Sequence, residues 1–255
     1  MSLQRIAALV STAQHPTSRL ERHCRNDSLA MTIGLNLADS ASAQIQVLHA
    51  GKPDNAALKD YLALGAKQMN VIATDTEVIE NLAANLADTD LILTGSRAES
   101  EHSSGLLPYL LAQKLNLPLV ANALEIKCLE NSLEILQFLP NGKRRVVSLQ
   151  LPAVVVIHPL ATVNLHYAFA KQMTGEIVGL RAIQPENIHK IQAQSKLVTR
   201  KPIKLKAPER KTSHERLLAA ISSENKGGAV VNEGNSVEKA QVILDYLREH
   251  RLIDF

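Results

Sequence analysis

Three kinds of residue in this 255-residue sequence could do chemistry: histidines, glycines placed for close approach, and hydroxyls at a helix start. His49, His102 and His158 fall at strand ends or in loops. An imidazole can move a proton near neutral pH, but such work needs an acid or nucleophile held beside it. None is paired with these histidines by spacing, so they are expected to be hydrogen-bonded surface or turn residues, and no catalytic constellation is present. Cys24 and Cys128 are far apart, with neither CxxC nor Cys/His spacing, which argues against a disulfide framework or a zinc site and for a reducing, cytoplasmic setting.

The stretch TGSRAESEHSSGLLP (94–108) suggests a different chemistry. It lies between the apolar run LILT and a helix-like segment. It presents Ser103, Ser104 and Gly105 where that helix should begin. A serine N-cap, free N–H groups and the helix dipole together suit a phosphate. In HAGKPDNAALKD, Gly51 stands where a backbone could approach a ligand closely. There is no GxGxxG, no GxxxxGK[ST] and no GxSxG, so the common dinucleotide, P-loop and hydrolase signatures are absent.

Positioning these groups falls to an alternation of β-like and helical segments, the pattern of a parallel sheet covered by helices. Strands are expected at 5–11, 44–50, 69–74, 90–94 and 117–123, and helices at 28–39, 54–66, 77–87 and 104–115. Residues 123–151 then offer three β-like segments, ALEIKCL, SLEILQFL and GKRRVVSLQL, which read as antiparallel strands added to the sheet. The apolar LPAVVVIHP (151–159) reads as a buried strand. In such a sheet, ligands bind beyond the carboxyl ends of the strands near the switch in strand order. The loops after 5–11, 44–50 and 90–94 are therefore the ones to watch.

One α/β domain is expected over 1–190, then a basic linker with a short helix over 191–235, then a terminal helix over 236–255. Residues 196–211 carry a net charge of +6 against +3 for the whole chain, so the body is not basic. With no interleaved aromatics, this stretch reads as a solvated tether rather than a nucleic-acid site. In the last helix Ala240, Ile243, Leu244 and Leu247 form an apolar stripe, to be covered by its own domain or by another subunit. Thr212 and Glu215 have capping-box spacing. No segment reaches the length of a membrane span.

Three stretches, VLHAGKPDNAALKDYLALGAKQMNVI (47–72), DLILTGSRAESEHSSGLLPYLLAQKLNLPLV (90–120) and LQLPAVVVIHPLATVNLHYAFAKQM (149–173), agree in order and spacing, and together they resemble the β subunit of electron transfer flavoproteins over most of residues 1–180. VLHAGKPDNAALKDYLALGAKQMNVI (47–72) is similar to that family's strand, Ser-x-Gly-Pro loop and helix ending Leu-Ala-Met-Gly-Ala-Asp, here Leu62-Ala63-Leu64-Gly65-Ala66. DLILTGSRAESEHSSGLLPYLLAQKLNLPLV resembles its strand, Gly-Lys-Gln-type loop and Gln-Thr-Gly turn, and LQLPAVVVIHPLATVNLHYAFAKQM resembles its Leu-Pro-Ala-Val-Val strand and Arg-Tyr-Ala segment.

The resemblance implies a mostly parallel twisted sheet with helices on both faces, of the adenine nucleotide α hydrolase-like (HUP) type, with antiparallel additions and an extended C-terminal arm. It implies a heterodimer whose α subunit holds the redox-active FAD and whose β subunit buries an AMP with no redox role. It implies electron transfer from flavin-dependent dehydrogenases to a membrane quinone oxidoreductase, with no catalysis by this chain. AMP contacts would fall on Ala8 or Val10, Asn26, Ala50, Gly51, Gly95, Ser96, Ser103, Ser104 and Gly105. The hairpin after the first strand is trimmed, and Asn-Pro-Phe is reduced to Arg25-Asn26-Asp27. Glu99 and Glu101 stand in for an Asp-rich run. The longer acidic loop of bifurcating relatives is not visible, which points to a non-bifurcating carrier. The dehydrogenase-recognition loop maps to Tyr167-Ala168-Phe169-Ala170-Lys171-Gln172, with Phe169 in place of the family's anchoring Leu. The tail is similar to bacterial members paired with dimethylglycine- or sarcosine-type dehydrogenases, implying a methylamine or betaine-catabolic donor. The alternatives are a stand-alone adenine-nucleotide-binding module and a nucleic-acid adaptor using residues 196–211.

Overall fold

The computed structural model describes residues 3–15, 17–74, 77–99, 103–129, 132–183, 212–214, 217, 232–250 and 252–253. It divides into two compact units, Met1–His189 and Lys190–Phe255. Glu101, His102 and Glu215, each named above, lie outside the described residues.

The first unit is built on a nine-stranded sheet. Its strands are β1 (Arg5–Leu9), β4 (Gln44–Ala50), β5 (Gln68–Ile72), β6 (Leu91–Gly95), β7 (Leu119–Cys128), β8 (Leu133–Phe138), β9 (Arg144–Leu149), β10 (Ala153–Ile157) and β11 (Glu176–Leu180). They lie in the order β11-β5-β4-β1-β6-β10-β7-β8-β9. Pairs from β11 to β7 are parallel, while β7–β8 and β8–β9 are antiparallel. Two short strands, β2 (Thr12–Gln14) and β3 (Glu21–His23), form a separate antiparallel hairpin, so the expected trimming leaves three residues per strand.

Helix α1 (Arg25–Ala41) packs on one face of the sheet, through Leu29, Ile33 and Leu37 at four-residue spacing. Its close approach needs Gly34, where a Cβ would come 2.9 Å from Ile45 Cδ1. Helices α3 (Val78–Leu86) and α4 (Leu107–Leu115) cover the other face, with Leu82, Leu86 and Leu111 packed around Ile92 and Val154. The strand pleat sorts the core: Leu91 and Leu93 point to α1, Ile92 to α3 and α4. Both β6 and β10 are buried throughout, as expected for the middle of a parallel sheet, each large apolar side chain contributing about 1.5–3 kcal/mol by burial. Helix α2 (Leu58–Ala63) closes a third cluster with Leu58, Tyr61 and Leu62 against Met31, Val47 and Met69.

The structure departs from the sequence reading in four places. The helix expected over 54–66 is only Leu58–Ala63, because residues 53–57 form turns and Gly65 at φ +122 ends it. The segments 117–123 and ALEIKCL are one strand, β7, which shifts register between Ala123 and Glu125 beside Asn122 at φ +61. Before that irregularity β7 pairs with β10, and beyond it with β8. Helix α5 (Phe169–Thr174) and strand β11 complete the sheet edge and were not anticipated. Finally, α4 starts at Leu107, later than expected.

In the second unit, helix α6 (Ser236–Glu249) is capped by its own sequence. Asn235 Oδ1 accepts from the Glu238 N–H at 2.9 Å, and Glu238 Oε2 accepts from the Asn235 N–H at 3.1 Å. None of its residues is buried within this unit; Val237, Ile243 and Tyr246 are exposed.

Candidate functional site

Strand order reverses direction at β1: β4 lies on one side and β6 on the other. The loops leaving β1 and β6 therefore part at this point and leave a crevice between them. A cleft of about 400 Å³ occupies that place. Its walls are mainly apolar, from Leu9, Leu48, Val78, Leu82 and Leu107, while Ser96, Arg97, Ser103 and Ser104 bring polar groups from the loop after β6.

Asp27, in the first turn of α1, also lines this cleft and ties its parts together. Its Oδ2 accepts from the Ser11 N–H at 2.9 Å and from the Ser11 hydroxyl, and its Oδ1 accepts from the Gly95 N–H at 3.2 Å. One carboxylate thus joins the ends of β1 and β6. Burial raises its pKa from 3.8 to about 6 against the lowering effect of these donors. Tyr61, wholly buried, extends the network: its hydroxyl donates to the Ser11 carbonyl at 2.6 Å and accepts from the Cys24 N–H at 3.0 Å. Burial, reinforced by the Asp27 charge, raises the Tyr61 pKa, and the same two causes push the Cys24 thiol up to about 12. The thiol is therefore unreactive at neutral pH.

The loop after β6 is held from several sides. The Arg97 carbonyl accepts from Asn26 Nδ2 at 3.1 Å and lies 3.7 Å from Cys24 Sγ, while Arg97 Nε donates to the Ser103 carbonyl at 3.0 Å. Glu99 receives Arg22 Nη2 at 2.6 Å and the Arg25 N–H at 3.3 Å, joining the loop to the hairpin and to α1. Gly105, at φ +73, sits where a Cβ would meet the Ser96 carbonyl at 3.2 Å.

The anticipated site residues separate into two groups. Val10, Ala50, Gly95, Ser96, Ser103, Ser104 and Gly105 all line the cleft. Ala8 does not; it is fully buried in the core with Met31 and Val47. Asn26 lies beside the cleft and braces Arg97. Gly51 is not among the lining residues, and a Cβ there would lie 2.7 Å from His49 Nε2, so its bare backbone makes room for that buried ring. His49 donates through Nδ1 to the Val10 carbonyl at 2.9 Å, and burial lowers its pKa and keeps it neutral. His158 stacks on Phe138 at 4.2 Å and accepts at Nδ1 from the Leu160 N–H. Ser104 is not the N-cap of α4; that position is Leu106, whose N–H donates to Ser104 Oγ at 3.2 Å. The hydroxyl shapes the turn two residues before the helix.

Sequence reasoning missed Asp27, Thr94 and Arg97 as cleft residues. An acid in a first helical turn suits the dipole and is unremarkable in sequence, and its bond to Gly95 crosses 68 positions. The recognition-loop residues lie elsewhere. Tyr167 and Phe169 are exposed, Tyr167 Oη donates to Asp60 Oδ1 at 3.2 Å, and α5 packs on α2. Met173, one turn after Phe169, is 71% exposed and widens the apolar patch around it.

Residues 25–183 match the electron transfer flavoprotein domain. The chain is also 30% identical to the electron transfer flavoprotein subunit beta of Chromohalobacter salexigens, over 97% of this chain and 95% of that protein. The chain belongs to the electron transfer flavoprotein family. Likeness along nearly the whole length is to a β subunit, and the matched domain runs from the first turn of α1 to just beyond β11, taking in every element of the cleft except the end of β1 with Val10 and Ser11. Membership agrees with the α/β fold and with a role in electron transfer. Among the described residues, no helix is long and apolar enough to cross a membrane.

Proposed function

We propose that this chain is the β subunit of a heterodimeric, non-bifurcating electron transfer flavoprotein. It pairs with an α subunit that carries FAD, and the pair takes electrons from a flavin-dependent dehydrogenase and delivers them to a membrane quinone oxidoreductase in or from the cytoplasm. FAD supplies the reversible one- and two-electron chemistry when bound. The residues of this chain hold the partner and a structural nucleotide, and none serves as a catalyst.

The observation that carries the reading is the cleft at the strand-order switch. Its volume, its apolar walls and its Ser- and Arg-bearing loop fit a mononucleotide such as AMP, and the backbone at Gly105 keeps that loop close to the start of α4. The Tyr167, Phe169 and Ala170 segment with its apolar patch would meet the donor dehydrogenase, with Phe169 as anchor. The tail's likeness to partners of dimethylglycine- or sarcosine-type enzymes makes a methylamine or betaine-catabolic donor the first to try. The α6 stripe, with Ile243 exposed and Leu244 and Leu247 half-buried, would be covered by the α subunit.

Co-expression with the α subunit tests this. The expected product is a yellow heterodimer with one FAD, releasing AMP on heating, identified by mass. A colourless protein that ignores the α subunit would overturn the proposal. The competing stand-alone nucleotide module predicts instead a homodimer that binds AMP or ATP by itself.

A further inference from the structure

Helix α5 carries the exposed Phe169 and Met173 yet buries none of its own residues, so its orientation must be set from outside. So short a helix does not hold itself in place. Three attachments to α2 do this. The Ala168 N–H donates to the Ala63 carbonyl at 2.9 Å, and the backbone at Gly175 lies so near Leu62 that a Cβ would come 2.9 Å from its Cδ2. The third is a pair of side chains: the Tyr167 hydroxyl donates to Asp60 Oδ1 at 3.2 Å.

The Asp60 carboxylate is itself held from the other side. Its Oδ2 lies 3.2 Å from Nδ1 of His23 on β3, and the His23 ring stands edge-on to the buried Tyr61, with centroids 5.9 Å apart. The hairpin that carries His23 is tied in turn to the residues just before α2, because the Ala56 N–H donates to Glu21 Oε2 at 3.3 Å and Asn55 Nδ2 to Thr12 Oγ1 at 3.2 Å. With Oδ2 engaged, the carboxylate is fixed and Oδ1 faces Tyr167. A bond of this kind, to a charged acceptor, is stronger than one between neutral groups.

We infer that Asp60 is the positioning residue of the docking segment. Through Tyr167 it fixes how Phe169 and Met173 are presented, and through His23 it joins that segment to the β2–β3 hairpin. It touches no cofactor and carries no electron. The inference rests on the docking role proposed above for Tyr167, Phe169 and Ala170.

Hydrogen–deuterium exchange of the full chain reads the positioning directly. Asp60→Ala and Tyr167→Phe should each speed exchange of the amides of residues 168–175 about fivefold, and the double variant no more than either alone, because both remove one bond. Asp60→Asn keeps an acceptor oxygen for Tyr167 and should stay near wild type. Peptides from β5 and β6 should be unchanged in every variant. Unchanged exchange in Tyr167→Phe, or additive effects in the double variant, overturns the inference. So does an equal loss of protection throughout the first unit, which would make Asp60 a general stabiliser.

Stopped-flow reduction of the heterodimer, with a dimethylglycine dehydrogenase as the electron donor, reads the consequence. Asp60→Ala should raise KM for the donor about fivefold and leave kcat within about twofold, because presentation of the anchor changes and the electron path does not. A raised KM in Phe169→Ala with an unaltered one in Asp60→Ala defeats this inference alone. Unaltered KM in both variants, or a wild-type heterodimer that the donor does not reduce, defeats the docking reading and this inference together.

Discussion

The Asp27 carboxylate and the Gly95 amide, 68 residues apart in the chain, meet at 3.2 Å across the head of the cleft. No side chain larger than hydrogen fits at position 95, since a Cβ there would run into Asp27 Oδ1 and approach the Asn26 carbonyl carbon to 2.8 Å. Gly95→Ala should therefore push α1 from the end of β6, with a loss of about 1–3 kcal/mol in chemical denaturation and loss of nucleotide retention. Wild-type stability and nucleotide content in that variant would refute the packing argument.

Asp27 also sets a pH dependence. Its pKa of about 6 when folded exceeds the 3.8 of an unperturbed Asp, so between those values the folded state holds a proton that the unfolded chain releases. The stability from this group is fully present below about pH 4 and is lost as pH rises through 6. The melting temperature of wild type should fall between pH 5 and pH 7.5 relative to Asp27→Asn, whose profile over that range should be flatter. Parallel profiles would assign the titration to another group.

Gly51 and His49 form a second coupled pair. Gly51→Ala places a methyl 2.7 Å from His49 Nε2, with an expected cost of about 1–3 kcal/mol. In the double variant Gly51→Ala/His49→Ala the methyl has room, so the two costs should sum to more than the measured whole. Strict additivity in urea denaturation would show that the ring is not what Gly51 accommodates.

Partner docking is separable from folding of the first unit. Ile243→Asp combined with Val242→Asp should abolish co-purification with the α subunit while leaving the thermal unfolding of the chain within about a degree, because both side chains are exposed in their own unit. Retained co-purification would mean that the stripe has another purpose.

Phe169→Ala should slow electron delivery from the donor dehydrogenase at least tenfold with no change in flavin content, since an anchoring aromatic commonly carries a large share of an interface. Met173→Ala, one turn along, should give a smaller effect in the same stopped-flow assay. Equal rates for all three proteins would move the docking site elsewhere.

The alternation of strands and helices was legible because strands buried on both faces read as short unbroken apolar runs, as Leu91–Leu93 do, while a helix with one buried face repeats its apolar residues near every four, as Leu29, Ile33 and Leu37 do. Short elements were not legible. Helix α5 buries nothing, and β11 is an edge strand, so neither displays a periodic apolar face. The cleft loop was found through its serines and glycine, while its start as an N-cap was misplaced, because Ser104 serves a turn as readily as it caps a helix.

By itself, then, the sequence determined the α/β class, the position of the cleft loop after β6 and the family, since these depend on local pattern and on the order of motifs. Only the tertiary structure decided that β10 inserts between β6 and β7, that Gly51 answers to His49, and that Asp27 and Thr94 belong to the cleft. Those facts are contacts between distant segments. A side chain's local sequence says what bonds it can make, but the fold alone supplies the partner, as it does for Asp27 with Ser11 and Gly95.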